Sequence, residues 1–270
     1  MMFDPMIAQR NSTYGEALRG WVWPKSSLPT PNLLVSHHGS PIAAAVQAYA
    51  EYVADLLGSR LRTCPEPGKP GSVDLFKMTE PHQDLVIFGA PCQSLIRRLL
   101  LGSADVQAAM QLPTSVVIAR CPRWPLKRVL LVTRGQDLDE VSVRWVIQLA
   151  SPSRAVVTVL AVQPALSAPD SQALYSQGLA SWLETDTPLG RQLRRVSKQV
   201  SNWEVEGKLH FRPGLPGWQI KCEVVESDPD LVIIAADPLN WWLRRLMGEL
   251  VNPLLHWIDR PVLVAKPTII

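Results

Sequence analysis

Asp84-Leu-Val-Ile-Phe-Gly-Ala90 and Asp230-Leu-Val-Ile-Ile-Ala-Ala236 are one phrase written twice, and they decide how this chain is read. A slide of 146 residues superposes them, and without a gap it carries Arg98–Gly102 (RLLLG) onto Arg244–Gly248 (RRLMG). The same slide lays Ser115-Val-Val-Ile-Ala-Arg120 on Pro261-Val-Leu-Val-Ala-Lys266, with ten of 37 positions identical over the whole stretch. Self-similarity of this length means that one supersecondary unit occurs twice.

Working outward, each unit opens with a short apolar strand that ends at a glycine, Leu33–Gly39 in the first and Val129–Gly135 in the second. A stretch with helical spacing follows each, Ile42–Leu57 and Val141–Leu149. The second unit continues as strand Ala155–Val162, a polar insertion, helix Leu189–Trp203, strand Lys208–Arg212, helix Gly217–Glu226, strand Asp230–Ala235, helix Leu243–Trp257 and strand Pro261–Lys266. Strands alternating with helices predict right-handed crossovers and a parallel, doubly wound sheet. The first unit is shorter: only 19 residues separate its second strand, about Leu61–Cys64, from Asp84, too few for a strand and two helices. One βα unit is therefore expected to be missing from it.

The composition agrees with a folded protein. Of 270 residues, 47% are hydrophobic and 19% charged, and the net charge is +3. Residues 33–120 hold seven Lys/Arg against seven Asp/Glu, so no segment is polarised and no nucleic-acid footprint is expected. The one dense basic cluster, Arg191, Arg194, Arg195 and Lys198, reads as the wet face of an amphipathic helix. No run approaches the roughly 20 apolar residues of a bilayer crossing, and no membrane partner is expected. Met1–Arg10 carries Asp4 and Arg10 with no hydrophobic block behind them, which points to a cytoplasmic protein without a secretory signal. Cys64, Cys92, Cys121 and Cys222 have no C-x-x-C spacing, which suggests neither a zinc site nor a disulfide framework. No metal site and no catalytic residue is expected: Gly-x-Ser-x-Gly, a Walker loop and paired carboxylates are all absent.

The first strand ending as His38-Gly39-Ser40, the run DLVIFGAPCQSLIRRLLLGS from Asp84 to Ser103 and the closing PVLVAK strand together resemble a tandem universal stress protein. The resemblance covers nearly all of residues 33–266. It implies an α/β chain of two tandem doubly wound parallel-sheet units, Rossmann-like and adenine-nucleotide-hydrolase-like, the first shortened. The expected division is an N-terminal arm 1–32, a first unit 33–120, a linker 121–126, and a second unit 127–270 with an insertion at about 163–188. The last strands of the units, Ser115–Arg120 and Pro261–Lys266, are expected to meet, as in dimers of single-unit members.

Nucleotide-binding members of that family carry Gly-x2-Gly-x9-Gly-Ser/Thr after the fourth strand. Phosphate oxygens must approach bare backbone N–H groups at a helix N-terminus, and a Cβ or carboxylate obstructs or repels them. In the first unit the frame reads Gly89, Cys92, Gly102 and Ser103, with one side chain where the second glycine belongs. In the second unit it reads Ala235, Pro238, Gly248 and Glu249, and Glu249 brings a like charge to the phosphate. His38, followed by Gly39, and Arg134 replace the acidic residue that usually ends the first strand. The implied function is a regulatory protein of the stress response that holds ATP or another adenine nucleotide in the first unit only, through His38, Gly39, Gly89, Cys92, Gly102 and Ser103. The alternative is a ligand-free interaction protein that kept the fold and lost the site. The expected partners are the chain itself, as an intrachain pseudo-dimer or a homodimer, and a protein not identified by sequence.

Overall fold

The computed structural model describes residues 30–36, 42–63, 84–90, 112–133, 139–163, 183–184, 186, 188–235 and 257–266. In chain order the elements are β1 Leu33–Ser36, α1 Ala43–Leu57, β2 Leu61–Thr63, β3 Leu85–Gly89, β4 Ser115–Ala119, β5 Arg128–Thr133, α2 Asp139–Ser153, β6 Val156–Gln163, α3 Pro188–Asn202, β7 Gly207–Pro213, α4 Pro216–Ser227, β8 Leu231–Ala235 and β9 Val262–Ala265. The expected helix Leu243–Trp257, apart from Trp257, and most of the expected insertion at about 163–188 lie outside the described residues. Every other expected strand and helix is present, with ends shifted by up to four residues.

The strands form one sheet in the order β2-β1-β3-β4-β9-β8-β5-β6-β7. Every neighbouring pair is parallel except β4 with β9, which run antiparallel. The strands are almost continuous apolar runs because both faces of the sheet are covered. Leu33, Val35, Leu85, Ile87, Leu131 and Ile233 face one core with α1, α2 and α3, while the alternate residues Leu34, Val86, Phe88, Leu130, Val132 and Ile234 face the other with Ile220 of α4. This is a mostly parallel α/β fold. Among the described residues, no helix is long and apolar enough to cross a membrane.

The antiparallel seam has a self-complementary register: Val116 faces Val264, Val117 faces Leu263 and Ile118 faces Val262. These are the residues that the 146-residue slide equates, so an approximate two-fold axis passes between Val117 and Leu263. The expected meeting of the two closing strands is thus observed as direct hydrogen-bonded pairing. Two buried cations repeat the symmetry. An Arg120 guanidinium nitrogen donates to the Ile258 carbonyl at 3.3 Å, and Lys266 Nζ donates to the Leu112 carbonyl at 2.7 Å. The slide equates Arg120 with Lys266 and Leu112 with Ile258, so each bond is the other's mirror across the seam.

The repeated aspartates serve the same end in both halves. Asp84 Oδ2 accepts from the Asn32 N–H at 3.0 Å, and Asp230 Oδ2 accepts from the N–H groups of Lys127 and Arg128 at 2.8 and 2.9 Å. Each carboxylate accepts from backbone N–H at the start of the neighbouring strand, Asp84 from one amide and Asp230 from two.

The segment between the halves crosses α1. The Leu126 N–H donates to the Tyr52 hydroxyl at 2.9 Å, and the Trp124 ring lies 6.3 Å from the ring of Tyr49. Burial pushes the Tyr49 phenol well above its ordinary value. One expectation from cysteine spacing is corrected here: Cys121 is disulfide-bonded. Distance along the chain says nothing about which strand ends are neighbours in a sheet, so the spacing carried no signal. Cys222 is a free thiol.

Candidate functional site

In an open parallel sheet, ligands sit beyond the carboxyl ends of the strands where the winding direction reverses. In the first half that reversal lies between β1 and β3, whose ladder runs from Leu33 opposite Leu85 to Ser36 opposite Phe88. Ser36 is buried, and residue 37 continues from it. The carboxyl ends of β1 and β3 are therefore neighbours in the sheet. In the second half the reversal lies between β5 and β8, with Val132 opposite Ile234. Because β4 and β9 are antiparallel, the two reversal points face opposite ends of the sheet.

Of the six candidate residues, the structure describes Gly89; His38, Gly39, Cys92, Gly102 and Ser103 lie outside the described residues. Gly89 closes β3 opposite Ala119, and the following Ala90 N–H donates to the Ala119 carbonyl at 3.1 Å. A Cβ on Gly89 would meet Val46 Cγ2 of α1 at 3.1 Å. The absent side chain therefore lets α1 settle close against the strand end. What sequence reasoning missed is that Val46, on the apolar stripe of α1, meets this glycine; the signal was the run Ala43-Ala44-Ala45 before it, whose small side chains suit close approach. At the equivalent position of the second half stands Ala235, buried at the end of β8. Pro238, Gly248, Glu249 and Arg134 lie outside the described residues. Among the described residues, no group of three or more His, Cys, Asp or Glu side chains could hold a metal.

The basic cluster on α3 is an element face. Leu193, Val196 and Val200 are buried, and Arg191 bonds Asp186 Oδ1 at 2.9 Å while Arg194 donates to the Leu183 carbonyl. Two of the four cations thereby fasten the chain that precedes the helix. On the opposite face of the sheet Glu223 of α4, fully buried, receives Arg212 at 2.8 Å and lies 2.9 Å from His210 Nδ1. That network binds α4 to β7.

The family model for the universal stress proteins matches residues 125–266, more than half of the chain. A universal stress protein from Archaeoglobus fulgidus superposes with a TM-score of 0.54 at 14% identity, covering 86% of this chain and 82% of that one. A candidate universal stress protein from Pseudomonas aeruginosa gives 0.56 at 15% identity, covering 99% and 90%. At these identities the two structures speak for the fold. No curated protein matches the sequence.

Proposed function

Since the chain belongs to the universal stress protein family, we propose that it is a regulatory protein of the stress response, built of two units, that holds one adenine nucleotide in the first. The units are those divided by the linker 121–126, with the arm 1–32 ahead of them, and the setting is cytoplasmic. The observation that carries this reading is the parallel pairing of β1 with β3, Ser36 opposite Phe88. It makes the carboxyl ends of β1 and β3 neighbours, and in sequence His38 and Gly39 follow the one while Cys92, Gly102 and Ser103 follow the other. Backbone N–H groups at glycine positions there would receive the phosphates, and His38 would add a donor. The second half offers Ala235, Pro238 and Glu249 instead: a Cβ, a missing donor and a like charge. No catalytic step is assigned to either half.

A second reading, the ligand-free interaction protein, is favoured by Gly89 itself. Its contact with Val46 gives that glycine a packing reason that needs no phosphate. Calorimetry with ATP and AMP separates the two. The expected result is at most one site per chain, lost in Gly102→Glu and strengthened in Cys92→Gly. Two sites per chain, or binding that survives Gly102→Glu, overturns the one-site assignment. Absence of binding both before and after Cys92→Gly establishes the second reading.

A further inference from the structure

Because β4 and β9 run antiparallel, the carboxyl end of β4 shares one end of the sheet with the amino ends of β9, β8 and β5. Three arginines arrive there from separate segments. Arg123 follows β4 by four residues, Arg128 opens β5, and Arg260 stands two residues before β9. Asp228, the residue that caps α4 ahead of β8, lies among them. Backbone bonds fix the strand entries: the Asp230 N–H donates to the Arg128 carbonyl at 2.8 Å, and the Val232 N–H donates to the Pro261 carbonyl at 3.0 Å.

One carboxylate meets three guanidinium groups in this cluster. Arg123 Nη1 lies 3.0 and 3.1 Å from the two Asp228 oxygens, Arg128 Nη2 lies 3.0 Å from Oδ2, and Arg260 Nη2 lies 2.6 Å from Oδ1. The hydrogen bond from Arg260 is the largest cause that holds the Asp228 carboxyl at about 2, so it carries its full charge at any ordinary pH. Three positive charges against one negative leave an excess of two. Lys127, exposed beside Arg128, adds a cation, and Asp259 beside Arg260 adds a carboxylate. The other acidic groups nearby are engaged: Asp230 accepts from the Lys127 and Arg128 amides, and Arg212 takes Glu223 and Glu226 of α4. The side chains of Arg123 and Arg128 are 43% and 51% exposed, and each reaches Asp228 through a single terminal nitrogen, so N–H groups remain on both. Arg260 is the more buried, and its Nε has no hydrogen-bond partner among the described residues.

We propose that this cluster binds a phosphate dianion, free or as the monoester of a small molecule, with Arg123 and Arg128 as its ligands and Arg260 adding charge from the more buried side. A dianion matches the excess of two charges, and the planar fork of a guanidinium group matches the spacing of phosphate oxygens. Asp228 is the positioning residue. It holds Arg123 and Arg128 in place before the anion arrives, which lowers the cost of ordering two long side chains, and three cations outweigh its own repulsion. The site is separate from the nucleotide reading above, since none of its residues belongs to the glycine frame of the first half.

The test titrates the full chain with inorganic phosphate and with glycerol 3-phosphate at about pH 8, where both are mostly dianions. Ionic strength is held constant with chloride, and binding is read as broadening of the phosphorus resonance. Saturable broadening is expected, weakened about tenfold in Arg123→Gln and in Arg128→Gln, the scale of one charged hydrogen bond. Arg128→Lys, which keeps the charge and loses the fork, should fall between Arg128→Gln and the wild type, and it serves if Arg128→Gln does not fold. Glycerol 3-phosphate that binds as tightly as phosphate identifies a monoester as the ligand; phosphate alone identifies the free anion. Gly102→Glu should bind phosphate as the wild type does, so a failure of the nucleotide reading leaves this site standing. Phosphate binding lost in Gly102→Glu but kept in the arginine variants overturns the proposal. So does broadening that is no greater in the wild type than in the Arg123→Gln/Arg128→Gln double variant; the cluster is then an ion-pair network that ties the segment after β4 to α4 and β9.

Discussion

Asp228 sits just past the end of α4 in the left-handed region, φ 43°, and collects three arginines. Arg260 approaches one carboxylate oxygen at 2.6 Å, Arg123 lies at 3.0 Å and Arg128 reaches the other oxygen at 3.0 Å. The hydrogen bond from Arg260, followed by that from Arg123, holds the carboxyl at about 2, below its ordinary 3.8. A folded-state value below the unfolded one means that the contribution is complete above the unfolded value and is lost as pH falls from about 4 toward 2. The carboxylate is 40% exposed, so salt screens part of it. Asp228→Asn is therefore expected to lower stability at pH 5 and to converge on the wild type near pH 2 in denaturant titrations; a constant gap across that window contradicts this account. Not all of this was legible in the sequence. Asp84 and Asp230 were visible as repeated residues, but what they bond was not, since their partners belong to a neighbouring strand 52 and about 100 positions away.

At the scale of elements, the helices were legible where an apolar stripe met a stop signal. Val46, Tyr49 and Val53 mark the buried stripe of α1, and Gly58, at φ 60°, ends the helix with its N–H on the carbonyls of Ala54 and Asp55. Elsewhere the same left-handed cap is built without glycine, which hid the boundaries. After α2, Arg154 takes φ 54°, its N–H donates to the Ser151 carbonyl, and the Ala155 N–H reaches Ala150 at 3.1 Å. After α3, Glu204 takes φ 58° and the Val205 N–H reaches Val200 at 3.3 Å. A Cβ in this region costs about 1–2 kcal/mol, partly offset by the backbone entropy that glycine loses on folding. Arg154→Gly should consequently raise stability by about 0.5 kcal/mol, read as a shifted denaturation midpoint at unchanged slope. A loss of stability would mean that the Arg154 side chain does more than occupy its turn. The candidate site was less legible than the helices for a related reason. Gly89 fitted a phosphate frame by spacing, yet its contact is with Val46, which stands 43 residues earlier and touches it only because α1 lies across β3.

At the scale of the molecule, the two closing strands meet in a self-complementary antiparallel seam, and that seam is not a boundary between cores. Val35, Ile87 and Val117 of one half lie in the same buried cluster as Leu131, Ile233 and Leu263 of the other, together with α1 and α2. Trp145 of α2 reaches over the seam to donate to Ser115 Oγ at 3.1 Å, and that hydroxyl also accepts from the Lys266 N–H. With one sheet and a core on each face that runs across the seam, the halves should unfold together despite their separate sequence repeats. Val117→Asp tests this at the symmetry axis, where a carboxylate would be buried against Leu263 with no counter-charge in the cluster. Burial of an unpaired charge should cost more than about 3 kcal/mol, and the loss should be shared. Hydrogen exchange in mild denaturant would follow α1 and β3 on one side and α2 and β6 on the other. The expected result is that protection falls in both sets at the same, lowered denaturant concentration. If α1 and β3 lost protection while α2 and β6 kept theirs at the wild-type level, the halves would be separate folding units joined by a strand pair, and the continuity of the core would have no energetic meaning.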